Sequence, residues 1–262
     1  MNTVRSSDGT TIAFDQWGKG APLIYVGGAL NDRSAGAPLA QLLAPRFTVI
    51  SYDRRGRGAS GDTPPYAVER EVEDLEALIA AAGGSAFVYG MSSGGVLALE
   101  AAAQGVAIAK LAIYEPPFMA DESQQRGARE YSAKLTELLS ADRRGDALEL
   151  FLTRIGTPAE IVGQMRGAPT WPALEGLAPS LAYETVVMGE ADRGGRVPTE
   201  WLATVGTPTL VLDGGASPAW MREVARRVAD ALPGGRHRTL EGQTHDVSPQ
   251  VLAPVLEEFF AG

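Results

Sequence analysis

The chain has 262 residues, 45% of them hydrophobic, 21% charged and 7% aromatic, which is enough apolar mass for a large core in one or two domains. A formal net charge of −9 argues against nucleic acid or an anionic membrane as partner, because both need clustered cations. With no cysteine and only two histidines, His237 and His245, disulfides, thiolate catalysis and Cys-based metal sites are excluded, and a histidine-built metal site lacks ligands.

The N-terminal stretch MNTVRSSDGTT lacks the apolar segment of a signal peptide, and no run approaches the ~18 apolar residues of a membrane span. A soluble cytoplasmic protein is expected. Taken in chain order, TVRSSDGTTIAFDQWGKG reads as a hairpin, with Asp8-Gly9 as a type I′ turn signal. PLIYVGG, residues 22–28, and FTVISYD, residues 47–53, read as buried strands, with a short helix between them at 38–43. YAVEREVEDLEALIAAAGG carries the clearest helix: Val68, Val72, Leu75, Leu78, Ile79 and Ala82 follow 3.6-residue spacing, and Gly83-Gly84 stops it. SAFVYG is then a strand, GGVLALEAAAQG a helix and AKLAIYE a strand. The tail repeats the alternation with TPTLVLDG, PAWMREVARRVADAL, RHRTLEG and PQVLAPVLEEFFAG. Such alternation implies a mostly parallel sheet with helices on both faces. Residues 116–198 interrupt it with helical patterns alone, so the core is expected from 1–115 and 199–262, with an inserted helical cap between the sixth and seventh strands.

Gly90-Met91-Ser92-Ser93-Gly94 lies between a strand and a helix and fits G-x-S-x-G. The requirement is steric: a serine on a strained turn needs small neighbours two positions to either side. Ser92 has glycine at both, whereas Ser93 would need it at Met91. Ser92 is therefore the expected nucleophile, and the Ser93 N–H, at a helix N-terminus, an expected oxyanion donor. A second donor should come from the loop after PLIYV, where Gly27-Gly28-Ala29 offers the Ala29 N–H, with Gly28 beside the substrate.

With GMSSGG, YDRRGRGAS after a strand and LEGQTHD near the C-terminus, the sequence resembles the α/β-hydrolase superfamily across nearly its whole length. The resemblance implies a sheet of about eight strands, a helical cap between the sixth and seventh, and a Ser–His–acid triad. The family's usual His-Gly at the oxyanion loop is here Gly27-Gly28. His245 stands where the family's general base falls, and an imidazole can both take the serine proton and return it. His237, at the start of a strand, is far from that edge. Most relatives carry the acid after the seventh strand, where this chain reads Gly214-Gly215-Ala216-Ser217. Glu115, ending the sixth strand, and Asp213, ending the seventh, are the candidates. Glu115 is favoured for its reach and its place at the carboxyl edge, and Asp246 is adjacent to His245 and poorly directed. Asp53, Arg54 and Arg57 are expected to hold the loop after the fourth strand; Asp32 and Arg33 are open to substrate contact, with a solvated loop the favoured reading.

The cap is expected to line an apolar pocket with Met165, Trp171, Leu174, Leu181, Tyr183 and Met188, although helix packing inside the cap would use the same residues. The expected activity is a serine hydrolase cleaving a small to medium carboxylic ester, thioester or lactone through an acyl-enzyme on Ser92. No metal or organic cofactor is called for. Carbon–carbon bond hydrolysis, perhydrolysis or a lyase reaction with the same triad is the alternative chemistry, and a non-catalytic ligand sensor the alternative class.

Overall fold

The computed structural model describes residues Met1–Gly262. Its first two strands, β1 (Asn2–Arg5) and β2 (Thr11–Trp17), pair antiparallel as the N-terminal hairpin. Of Asp8-Gly9 only Gly9 has positive φ, 84°, so the turn is not type I′, which needs positive φ at both positions. The Ser6 N–H donates to the Thr10 carbonyl and the Gly9 N–H to that of Ser6, closing a longer loop.

The alternating patterns then become β3 (Ala21–Val26), α1 (Ala37–Leu43), β4 (Phe47–Tyr52), α2 (Val68–Ala81), β5 (Ala86–Met91), α3 (Ser93–Ala103) and β6 (Ile108–Tyr114). Helices α4 (Glu122–Ser140), α5 (Arg144–Arg154), α6 (Ala159–Arg166), α7 (Trp171–Leu177), α8 (Leu181–Val187), α9 (Glu190–Arg193) and α10 (Thr199–Leu202) occupy the connection to β7 (Thr209–Gly214). The chain closes with α11 (Ala219–Ala231), β8 (Gly235–Leu240) and α12 (Pro249–Ala261). The single sheet runs β1-β2-β4-β3-β5-β6-β7-β8. Only β1 with β2 and β2 with β4 are antiparallel; every other neighbour is parallel.

The two faces carry separate cores. Val72, Leu75, Leu78 and Ile79 of α2 pack with Val88, Ile113, Val211 and the inner sides of α3 and α11. The opposite face joins Tyr25, Tyr89, Tyr114 and Leu212 to α1 and α12. Each fully buried aliphatic side chain contributes about 1.5–3 kcal/mol, so these strands are fixed on both sides. Helix α2 stops where Gly83 and Gly84 take φ of 114° and 91°, and the Gly84 N–H returns to the Ile79 carbonyl.

A third cluster, with Tyr131, Leu135, Leu148, Trp171 and Leu181, belongs to the inserted helices. Ala29 and Leu30, just after β3, pack against it, which seats the insertion over one loop at the carboxyl edge. The ends of the insertion merge with the sheet instead: Phe118, Val187, Met188 and Val197 share the α2–α3 core. No helix is long and apolar enough to cross a membrane.

Candidate active site

Parallel strands deliver their carboxyl ends to one edge, and the backbone is strained there. Of the four non-glycine residues with positive φ, two follow directly on central strands, Ser92 at 56° after β5 and Glu115 at 43° after β6, and a third, Leu30 at 57°, lies in the loop after β3. Such conformations cost of order 1–3 kcal/mol each and persist only where the surroundings impose them. At Ser92 the imposition is close packing of α3 against β5 and against the end of β3. A β-carbon on Gly90 would lie 2.5 Å from the Gly95 α-carbon, and one on Gly94 only 2.2 Å from the Val26 carbonyl oxygen. Both glycines of the motif are therefore required by backbone approach, and the turn leaves Ser92 partly accessible.

Residues 114 and 115 tie the serine turn to the histidine loop. The Ser92 N–H donates to the Tyr114 carbonyl at 2.9 Å, and the Tyr114 hydroxyl donates to the Thr244 carbonyl at 2.6 Å. Glu115, with its side chain fully buried, accepts from His245 Nδ1 at 2.7 Å and from the Gly214 N–H at 2.9 Å. Burial works to raise the Glu115 pKa, but hydrogen bonds from His245 and the Gly214 N–H, with the charge of His245, outweigh it and hold the carboxyl below its ordinary value. Gly214 must be glycine: a β-carbon there would fall 2.3 Å from the Gln243 carbonyl oxygen and 2.8 Å from the Tyr114 hydroxyl. Ser92 and His245 share no direct hydrogen bond in this structure. Of the two carboxylates expected for the acid, Asp213 turns elsewhere: it is buried and pairs with His237 Nε2 at 2.6 Å, one strand over on β8. Asp246 is exposed.

Gly28 abuts the serine, since a β-carbon on it would lie 3.1 Å from Ser92 Cβ. The Ala29 N–H has no backbone acceptor, and Ser93, the first residue of α3, has no helical carbonyl for its own N–H. Two free donors thus flank Ser92. Beneath this loop lies a buried ionic network. Arg54 holds Glu71 through two bonds of 2.6 and 2.7 Å, and its Nη1 also donates to Glu184 of α8 and, at 3.3 Å, to the Gly27 carbonyl. Arg57 pairs with the same Glu184 and donates to the Gly28 carbonyl at 2.7 Å. Burial pushes the Glu71 pKa up, but Arg54, Arg57 and the Tyr66 hydroxyl more than reverse this, leaving it lowered. No group of three or more His, Cys, Asp or Glu side chains is arranged to hold a metal ion.

The model of the alpha/beta hydrolase family matches residues 23–256, most of the chain. The chain belongs to the alpha/beta hydrolase family. It is similar to an alpha/beta hydrolase from Sphaerobacter thermophilus, at 54% identity and a TM-score of 0.89, covering 99% of this chain and 100% of that one. An enol-lactonase from Burkholderia xenovorans LB400 shares the fold at 16% identity and a TM-score of 0.71, with 100% of both chains covered. A curated protein of Mycobacterium tuberculosis, provisionally named a non-heme bromoperoxidase, is 25% identical over 269 residues, spanning 95% of this chain and 97% of the relative.

In this alpha/beta hydrolase the residues expected to line a pocket divide. Trp171 and Leu181 are buried inside the cluster of inserted helices, and Met165 and Leu174 pack on its margin. Met188 departs further from expectation: it is buried in the main core beside Val187, because the chain after α8 has already returned to the sheet. Tyr183 stacks on Tyr66, ring centroids 3.9 Å apart, and its hydroxyl donates to Asp62, so it clamps the loop before α2. Arg33 is also not a solvated loop residue: it bridges Asp15 at 2.9 Å and buried Asp53 at 2.5 Å, while Asp32 caps the turn by accepting from Ser34 N–H. Arg55, overlooked in the sequence, is buried on Asp74. The signal was available: Glu71 and Asp74 sit on the apolar side of α2 beside Val72 and Leu75, where carboxylates need buried cations.

Proposed function

We propose that this alpha/beta hydrolase is a serine hydrolase that cleaves a small to medium carboxylic ester, thioester or lactone through an acyl-enzyme on Ser92. The observation that carries the reading is the 2.7 Å bond between His245 Nδ1 and Glu115. A carboxylate there keeps the proton on Nδ1 and leaves Nε2 unprotonated, able to take the proton from Ser92 as its oxygen attacks the carbonyl carbon. The tetrahedral oxygen would be held by the Ala29 and Ser93 N–H groups. Collapse expels the alcohol, thiol or ring oxygen with the proton from His245. Water, deprotonated by the same imidazole, then attacks the acyl carbon and frees the acid and Ser92.

The partly buried apolar residues on the margin of the helical cluster, Ala29, Leu30, Met165 and Leu174, support a largely apolar acyl or alcohol portion. The name of the M. tuberculosis relative favours one variant, in which hydrogen peroxide replaces water at the acyl-enzyme and yields a peracid. A panel of p-nitrophenyl esters, thioesters and lactones, run with and without peroxide beside Ser92→Ala, tests the reading. Turnover that disappears in Ser92→Ala is expected. Tight ligand binding with no turnover of any member would leave a sensor instead.

A further inference from the structure

Two arginines on the loop after β4 are spent on main-chain carbonyls of the loop after β3, and their position in the peptide chain gives them a consequence for the reaction. The carbonyl that Arg57 Nη1 holds at 2.7 Å is that of Gly28. This oxygen belongs to the same planar peptide unit as the Ala29 N–H. The Gly28–Ala29 bond is trans, since the chain's one cis bond is Pro64-Pro65. In a trans peptide, C=O and N–H point in opposite directions, so fixing the oxygen fixes the hydrogen. Arg54 Nη1 does the same, at 3.3 Å, for the preceding carbonyl of Gly27.

We infer that Arg57, held by Glu184 of the inserted helix α8, is a positioning residue that locks the Gly28–Ala29 peptide with its N–H turned toward the oxyanion formed at Ser92. The inference rests on the serine hydrolase reading above. Glycine at 27 and 28 makes these peptides easier to turn, and apart from Arg57 the Gly28 oxygen accepts only a longer bond, 3.3 Å, from the Asn31 N–H; a flip would present that oxygen to a developing negative charge. The lock is buried: Arg54 and Arg57 are about 1% exposed. It is also balanced, with two cations facing Glu71 and Glu184. Glu184 lies on α8, so the insertion supplies part of the support for a loop that its apolar cluster also covers.

Arg57→Gln removes the charged donor, and the double variant Arg57→Met/Glu184→Met replaces the pair by apolar groups while leaving Arg54 balanced by Glu71, a change that buried ion pairs often tolerate. The readouts are kcat and KM for an activated ester and the rate of Ser92 phosphonylation by a fluorophosphonate. Both variants are expected to lose roughly 10- to 100-fold in kcat and in phosphonylation rate, with KM changed by less than about three-fold, as for a donor misdirected in the transition state. A folded variant reacting at the wild-type rate would overturn the inference. So would loss in proportion to the unfolded fraction, or failure of both variants to fold, since the network would then be structural alone. Wild-type protein that is not labelled at Ser92 would instead remove the hydrolase reading beneath it.

Discussion

Replacing Glu115 by Gln exchanges a carboxylate oxygen for an NH2 group on a fully buried side chain. Glu115 Oε1 accepts the Gly214 N–H at 2.9 Å, and that buried donor keeps the amide oxygen of Gln on its side. The NH2 group then faces His245 Nδ1, where Oε2 accepted at 2.7 Å. Two donors cannot share that line, so the imidazole shifts its proton to Nε2, the nitrogen that accepts from Ser92 in the proposed reaction. A triad with the wrong tautomer loses about 10³- to 10⁴-fold in kcat. Steady-state hydrolysis of an activated ester, with thermal melting as a check on folding, measures the loss. Asp213→Asn is the control: it disturbs the pair with His237, so kcat should stay within about three-fold, while stability falls by about 1–3 kcal/mol for a weakened charged hydrogen bond. A larger kcat loss in Asp213→Asn than in Glu115→Gln would refute the assignment of the acid.

Burial of Glu190, opposed by the charge of Arg154 and reinforced by that of Glu184, raises its carboxyl pKa from 4.5 to about 7. The folded state then binds this proton more tightly than the unfolded chain, so a penalty absent below the unfolded value grows as pH rises and reaches about 3 kcal/mol above the folded one. Glu190→Gln should therefore gain stability relative to wild type between about pH 4.5 and about pH 8 in denaturant titrations; a difference that does not vary with pH would contradict this. Gly94→Ala places a β-carbon 2.2 Å from the Val26 oxygen and 2.6 Å from that of Gly27, both backbone atoms. It should cost at least about 2 kcal/mol and abolish ester turnover, whereas Gly163→Ala, on exposed α6 with nothing within 4 Å, should stabilise by about 0.5–1 kcal/mol. Equal melting temperatures for the two would argue against the backbone-approach account of the elbow.

The alternation of short apolar runs with amphipathic helices was sufficient to read the parallel sheet, because both signals are local and repeat in the chain. The serine turn was legible for a similar reason: its glycines fall in one five-residue motif, although only Gly90 is set by contact between the adjacent elements β5 and α3, and Gly94 is set by the end of β3. Glu115 could be preferred over Asp213 from strand ends alone, yet what separates them is side-chain direction. Asp213 faces the α11 side with Val211, toward His237. The Arg54–Glu71–Glu184–Arg57 network was hidden because its members lie up to 130 residues apart and charged residues are ordinarily solvated. Met188 was misplaced because the composition of a helical insertion does not mark where the chain rejoins the sheet.

The central claim is that His245 serves Ser92, and the rate of Ser92 phosphonylation in wild type against His245→Gln tests it most directly. The account predicts labelling confined to Ser92 and slowed roughly 10²- to 10⁴-fold without the imidazole. Equal rates in the two proteins, or a label on Ser93, would contradict it.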